Sequence, residues 1–180
     1  VMLYALQSQP RYRTADMSSM ETIFYGASPM SPPKLADAIK LWGPIFFQFY
    51  GQSEAPMVIA HMKKADHDLS KPERLASCGR PAPWGHVALL GPDNQPVAPG
   101  ESGEICARGP LVMIGYHDMD VETTEALSAD WLHTGDVGRF DEDGFLYIVD
   151  RTKDMVITGG FNVFPREVED VISSHAAVNT

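Results

Sequence analysis

Three short glycine-bearing segments hold the side chains best suited to chemistry: GASP at 26–29, YGQSE at 50–54 and HTGD at 133–136. Gly26 and Gly51 let backbone come close to a flat or phosphorylated ligand, while Ser28 and Ser53 offer hydroxyl donors. Glu54 adds a carboxylate of the kind Mg²⁺ prefers, and that ion usually arrives on substrate phosphates. Asp136, after a Thr-Gly turn, accepts hydrogen bonds only and so suits two neighbouring hydroxyls such as a ribose diol. Arg151 and Lys153 could neutralise a phosphate, Arg151 through a bidentate contact. Taken singly, each feature also has an ordinary reading. Gly-Ser and Ser-Pro pairs form turns, Asp136 caps one, and Arg151 with Lys153 makes a solvated linker pair. Tyr25, Tyr50 and Trp131 could stack on a purine or simply fill core.

The elements needed to position these segments follow from local pattern. VMLYALQS reads as the end of a helix stopped by Pro10, and residues 21–25 (ETIFY) read as a short buried strand. Ser31 as N-cap, Pro32 and Pro33 in a first turn, and Leu35, Ala38, Ile39 and Trp42 at helical spacing predict a helix that Gly43 and Pro44 end. Residues 45–50 (IFFQFY) then predict a second buried strand. Strand, helix, strand is the crossover unit of a parallel sheet, and ligands bind beyond the carboxyl ends of such strands. GASP and YGQSE would converge there. Residues 65–75 read as loop. Beyond Cys78, Gly and Pro punctuate short apolar runs, with strands expected at 87–90, 103–107, 131–133, 137–140 and 145–149, a hairpin turn at 141–144, and one helix at 121–127. This middle part is expected to be an antiparallel β-barrel or sandwich. A third unit opens at Asp150 with the strand MVIT and a helix starting at Pro165.

Composition narrows the function classes. Fourteen Lys and Arg against 24 Asp and Glu leave a net charge of −10 with no basic run, which argues against a nucleic-acid surface. The two cysteines, Cys78 and Cys106, lack metal-ligand or disulfide-framework spacing, so a reducing, cytoplasmic location is expected. No apolar stretch approaches the roughly 20 residues that span a bilayer. None of the six histidines forms an HExxH pattern and no GxSxG occurs, so metalloprotease and serine-hydrolase chemistry are not indicated, and His133 reads as structural rather than as a general base.

The order of the segments carries more than any one of them. FYGASPMS, FQFYGQSEA, GESGEICARGPLVMIGY and DWLHTGDVGRFDEDGFLYIVDRTKDMVITGGFNVFPREVEDVI, in that sequence, resemble the adenylate-forming superfamily and most closely its fatty acyl-CoA synthetases, essentially from Met2 to Val178. The resemblance implies an α/β + β fold. A strand–helix–strand piece of a parallel sheet (1–76) would be followed by a small antiparallel β-barrel subdomain (77–150) and the start of an α+β lid domain (151–180). It implies activation of a carboxylic acid, here a fatty one, with ATP and Mg²⁺ to an acyl-adenylate plus pyrophosphate, and then acyl transfer to coenzyme A. Within the superfamily, an adenylation domain that loads a carrier protein and a luciferase-like enzyme share these motifs; a catalytically silent nucleotide-binding relative is the alternative outside them.

Carried over by position, Gly26, Ala27 and Ser28 resemble the adenine-side loop, and Gln48, Phe49, Tyr50 and Gly51 the strand end lining nucleotide and acyl pocket. Ser53 stands where relatives carry a phosphate-contacting Thr, and Glu54 at the Mg²⁺-associated Glu. Asp136 resembles the residue that grips the ribose hydroxyls, Arg151 a second ribose or phosphate contact, Lys153 the lid hinge, and Gly159 and Gly160 the loop along the pantetheine path. Ile157 and Gly159 replace lysines found in some relatives. The family's phosphate loop and late lid lysine do not occur in these residues, so the sequence reads as the middle of a longer protein and is expected to be inactive alone. Expected partners are a carboxylic acid, ATP and coenzyme A, with any membrane contact only through a lipid substrate; Met57, Val58 and Ile59 hint at an aliphatic one.

Overall fold

The computed structural model describes residues 2–28, 30–152, 156–158, 161–163, 165, 168, 171 and 172. A short helix α1 (Met2–Gln7) leads to strand β1 (Ile23–Gly26), helix α2 (Pro32–Trp42) and strand β2 (Phe46–Gln52). β1 and β2 are parallel, in register from Ile23 opposite Phe46 to Gly26 opposite Phe49, with α2 as the crossover. Leu35, Ala38 and Ile39, at helical spacing, form the buried face of α2. Its first turn holds the two prolines, and Gly43 at φ 81° ends it by donating its N–H to the Ile39 carbonyl at 2.8 Å. Ser31 occupies the cap position without a side-chain cap bond; instead its N–H donates to the Tyr4 hydroxyl at 2.7 Å.

The sheet continues beyond the expected parallel pair and is mixed. β3 (Ala55–Met62) folds back antiparallel to β2, and β4 (Arg80–Pro81) pairs antiparallel with β3, giving the order β1-β2-β3-β4. APMVIAHM escapes a pattern reading because Pro56 sits near its start and Met57 adopts φ 56°, a left-handed kink rare for a non-glycine residue. The stretch expected as loop contains two 3₁₀ turns, Lys64–Asp66 and Pro72–Ala76, the second burying Leu75 against α2.

The second sheet is antiparallel and curls into a half-barrel rather than a closed one. It comprises β5 (His86–Leu90), β6 (Gly103–Arg108), β7 (Leu127–Ser128), β8 (Trp131–Phe140) and β9 (Leu146–Arg151), in the order β5-β6-β8-β7 with β9 also on β8. The strands expected at 131–133 and 137–140 are one strand, β8, with its ladder to β6 interrupted midway. The expected 121–127 helix is α3 (Asp120–Ala126), and the 141–144 turn closes with Gly144 at φ 77° donating to the Asp141 carbonyl at 3.0 Å. β10 (Val156–Thr158), the expected MVIT strand, pairs antiparallel with β11 (Phe161–Val163). Among the described residues no helix is long and apolar enough to cross a membrane.

Two apolar cores result. One lies under α2 and joins Leu3, Leu35, Ile39, Phe46 and Leu75. The other lies between the sheets, where Tyr50, Ile59, Ala60 and Cys78 meet Leu89, Ile105, Leu132 and Leu146. The covalent crossing between them is tight. The Cys78 N–H donates to the Leu146 carbonyl at 2.9 Å, and the Leu146 N–H returns to the Gly79 carbonyl at 2.7 Å. The Ser77 hydroxyl donates to the same Leu146 carbonyl and accepts the Gly79 N–H. Gly79 has φ 90°, and a Cβ there would lie 1.8 Å from the His61 carbonyl oxygen. Both conformation and space therefore demand glycine.

Gly79→Ala should lower stability by at least about 2 kcal/mol, combining backbone strain with a forced shift of β3. Urea titration of the intact protein checks this; an unmoved midpoint would contradict the role given to Gly79. A pH effect follows from His67, which is 5% exposed. Its Nδ1 donates to the Lys63 carbonyl at 2.8 Å, and its Nε2 accepts from the Tyr25 hydroxyl at 2.9 Å, with the imidazole neutral. Burial holds this imidazole below its ordinary value, outweighing the Lys63 carbonyl and the Asp66 charge, which act in the opposite sense. The unfolded chain therefore binds the proton first as pH falls. The stabilisation is complete above the unfolded value of about 6.5 and is lost as pH drops through it toward the folded value. His67→Phe should flatten the fall in stability that the parent shows as pH drops below about 6.5, read from urea midpoints at a series of pH values.

Candidate active site

The interruption in β8 builds the centre of the site. Glu104 on β6 pairs with Val137, and Cys106 pairs with His133, so two steps along β6 face four along β8. Thr134, Gly135 and Asp136 are therefore pushed out as a bulge opposite Ile105. Gly135 has φ 72° with open space around its Cβ position, so conformation alone selects glycine there. The Thr134 hydroxyl donates to the Ile105 carbonyl at 2.6 Å and accepts the Asp136 N–H at 3.1 Å. Glu104 accepts the Gly135 N–H on Oε1 at 2.9 Å and the His133 Nδ1–H on Oε2 at 2.8 Å.

Asp136 emerges from this bulge only 8% exposed. Burying a carboxylate is costly unless it is paired, and its partners come from two directions. The Tyr50 hydroxyl, from the first sheet, donates to Oδ2 at 2.7 Å, and Arg151, its neighbour on β9, brings Nε to 3.4 Å from Oδ1. Burial, reinforced by the Asp136 charge, raises the Tyr50 phenol far above its ordinary value, so the hydroxyl stays a donor. Each carboxylate oxygen has more than one lone-pair direction, so Asp136 keeps acceptor capacity beyond these partners.

The other two segments join this point through β2. Gly26 lies beside Phe49, and a Cβ on it would sit 2.2 Å from the Phe49 carbonyl oxygen. Ala27 then turns at φ 62° and Ser28 is exposed, so the loop leaves the sheet at the carboxyl end of β1. Gly51 meets the Ala55 carbonyl and Met57 N–H across the β2–β3 pair, where a Cβ would fall 2.4 Å from each. Gln48 is half-buried with Oε1 unpartnered among the described residues, and the Phe49 ring packs against Phe24, Phe47 and His61.

Ser53 and Glu54 form the tight β2–β3 turn, Ser53 exposed and Glu54 half-buried. The Tyr116 hydroxyl donates to Glu54 Oε1 at 2.6 Å, and the Glu54 carbonyl accepts the Met113 N–H at 2.7 Å, docking the 109–117 loop on the turn. That hydrogen bond to Glu54, ahead of burial, raises the Tyr116 phenol. Oε2 is left as the oxygen a hard cation would meet, so Glu54 fits a single carboxylate ligand to Mg²⁺.

The geometry thus brings Gly26, Phe49, Tyr50, Asp136 and Arg151 into one neighbourhood, with Ser53 and Glu54 on the turn that follows β2. Lys153, Gly159 and Gly160 lie outside the described residues. Tyr25 bonds His67 inside the α2 core, and Trp131 lies under the Arg108 guanidinium at 4.5 Å, so each has a protein partner in this arrangement. Sequence reasoning missed Tyr116, Thr134 and Glu104. All three stand within quoted motifs, yet the partners of Thr134 and Glu104 are set by the bulge and that of Tyr116 by the docked 109–117 loop, which no periodicity reveals.

The AMP-binding enzyme family matches residues 1–117. A medium/long-chain-fatty-acid–CoA ligase of Mycobacterium tuberculosis, FadD8, is 58% identical over 177 residues, covering 98% of this chain and 30% of that protein. Among solved structures, the amide bond synthetase McbA from Marinactinospora thermotolerans superposes with a TM-score of 0.91 at 37% identity, covering 99% of this chain and 36% of that one. O-succinylbenzoate coenzyme A synthetase (MenE) from Bacillus subtilis, in complex with AMP, gives 0.83 at 34% identity, covering 99% and 35% respectively. The chain spans about a third of the length of the curated relatives it matches. With the bulge carboxylate, the glycine-bearing strand ends and this match agreeing, the chain belongs to the AMP-binding enzyme family.

Proposed function

We propose that the whole protein is an AMP-forming acyl-CoA synthetase acting on a fatty acid. The observation that carries this reading is the buried Asp136 carboxylate, held by Tyr50 and Arg151 at the place where the β1 and β2 ends converge. A paired, acceptor-only group with lone pairs to spare suits a vicinal diol, whose two hydroxyls need acceptors once desolvated. The likeness to the AMP complex of MenE and the identity to FadD8 support the nucleotide and the fatty acid respectively.

In the proposed first half-reaction a carboxylate oxygen attacks the α-phosphorus of ATP. The bond to the bridging oxygen breaks, and pyrophosphate leaves with that electron pair. Asp136 and Arg151 would fix the ribose, Gly26, Ala27 and Ser28 would border the base, and Gln48, Phe49, Tyr50 and Gly51 would line nucleotide and acyl group. Ser53 offers its hydroxyl to phosphate and Glu54 a carboxylate to Mg²⁺, which would offset triphosphate charge. Carboxylate and triphosphate repel, so positioning supplies much of the rate. In the second half-reaction the coenzyme A thiol takes the acyl group and AMP departs, with Lys153 proposed as hinge and Gly160 beside the thiol path. The units 1–76, 77–150 and 151–180 are proposed as the moving and fixed parts. The likeness to McbA supports a second reading, in which an amine accepts the acyl group.

ATP–pyrophosphate exchange by the intact protein against a panel of carboxylic acids tests the first half-reaction. Exchange should be strongest with medium or long aliphatic acids, and its absence with every acid would refute the reading. Product analysis with coenzyme A and with amines as competing acceptors separates the two second steps. Asp136→Ala should raise the KM for ATP roughly tenfold to a hundredfold through loss of a hydrogen-bonded charged acceptor, leaving the KM for the acid nearly unchanged. Tyr50→Phe keeps the carboxylate but removes one donor. It should cost about 1–3 kcal/mol of stability and weaken ATP use less than Asp136→Ala does.

A further inference from the structure

The Thr134–Asp136 bulge is gripped from its β6 side by one side chain. Glu104 sends Oε1 to the Gly135 N–H at 2.9 Å and Oε2 to His133 Nδ1 at 2.8 Å, so both oxygens of one carboxylate serve a single turn. The grip matters because Gly135, at φ 72°, has no side chain to restrict it, so its N–H is the group through which β6 holds the turn. His133 is itself held in the β6 ladder opposite Cys106, and its Nδ1 also lies 3.5 Å from the Cys106 thiol. Its Nε2 is buried with no hydrogen-bond partner among the described residues, leaving Nδ1 as its anchored atom. Thr134 ties the bulge to the Ile105 carbonyl and accepts the Asp136 N–H, and the Gly135 carbonyl accepts the Thr152 N–H at 2.8 Å; the remaining backbone group of the turn, the Gly135 N–H, is the one Glu104 holds.

From this geometry we infer that Glu104 is a positioning residue for ribose recognition, orienting the Gly135 peptide and with it the Asp136 carboxylate, with His133 as its second contact. The inference rests on the ribose reading of Asp136 given above. A metal centre is the competing use of the same side chains. The ligand atoms of Glu104, Cys106 and His133 lie within 4.8 Å of one another, a donor set that zinc accepts. Both Glu104 oxygens are already committed to hydrogen bonds, however. The Cys106 thiol is fully buried and lies 3.5 Å from the same His133 Nδ1 that Glu104 holds. The hydrogen-bonded clamp accounts for both Glu104 contacts without an ion.

The test compares ATP with 2′,3′-dideoxy-ATP in the pyrophosphate exchange of the intact protein. Glu104→Ala should lower the preference for ATP about tenfold while the KM for the carboxylic acid stays within about twofold. Glu104→Gln, which keeps an acceptor for the Gly135 N–H, should fall between the parent and Glu104→Ala, and it decides the comparison if Glu104→Ala does not fold. In an Asp136→Ala background the Glu104 substitutions should lower the preference no further, since they act through the same group. Equal losses on both nucleotides, or losses that multiply with Asp136→Ala, would overturn the positioning role. If Asp136→Ala itself leaves the preference unchanged, the ribose reading fails. If Asp136→Ala abolishes the preference and neither Glu104 variant moves it, only the clamp fails. Titration with Co²⁺ should give no thiolate–cobalt charge-transfer band, and a band lost in Cys106→Ser would overturn the clamp in favour of a metal centre.

Discussion

A single negative charge placed where water scarcely reaches constrains the arrangement around it. Asp136 is tolerated there because Tyr50 and Arg151 meet it, and these arrive on β2 of the first sheet and β9 of the second. For Tyr50 to reach it, the two sheets must pack with little slack, which the inter-sheet core from Ile59 to Leu146 and the Ser77–Gly79 crossing provide. A core that let the sheets slide by even an ångström would take Tyr50 away and leave the carboxylate to Arg151 alone, at a cost of about 1–3 kcal/mol. Electrostatics at the site and apolar packing behind it therefore enforce the same geometry.

Much of this was legible in the sequence where local rules dominate. The α2 helix follows from Pro32, Pro33, apolar spacing and Gly43, and the parallel β1–β2 pair follows from the need for a crossover. What was hidden depends on long-range register. β3 is invisible in the sequence because Pro56 and the kinked Met57 break its alternation, so the expected parallel β1–β2 piece is present but continues into antiparallel strands. β8 was divided in two because HTGD reads as a turn, which locally it is; only pairing with β6 shows that the strand runs through it. For the site, Gly26, Gly51 and Asp136 could be singled out by residue type. Glu104 and Tyr116 could not, since a glutamate in a strand and a tyrosine in a loop acquire meaning only from the groups opposite them.

The glycines divide into two kinds, and the difference bears on how the site is built. Gly26 and Gly51 are small because backbone from another strand occupies the Cβ position, and Gly79 meets that limit together with φ 90°. Gly135 and Gly144 have open space and are selected by their φ values alone. The first kind makes sheet segments approach closely; the second makes the chain turn. Reading both as ligand-facing, as a motif does, conflates a packing requirement with a conformational one.

The bulge in β8 adds two residues relative to β6, an even number, so alternation of side chains above and below the sheet continues through it undisturbed. The residues before and after it would therefore pair in a regular ladder if the two were excised, with every core side chain still facing inward. The pairing of the half-barrel and the display of the carboxylate are thus separate demands on one strand, the first met by the residues that flank the bulge and the second by the bulge itself.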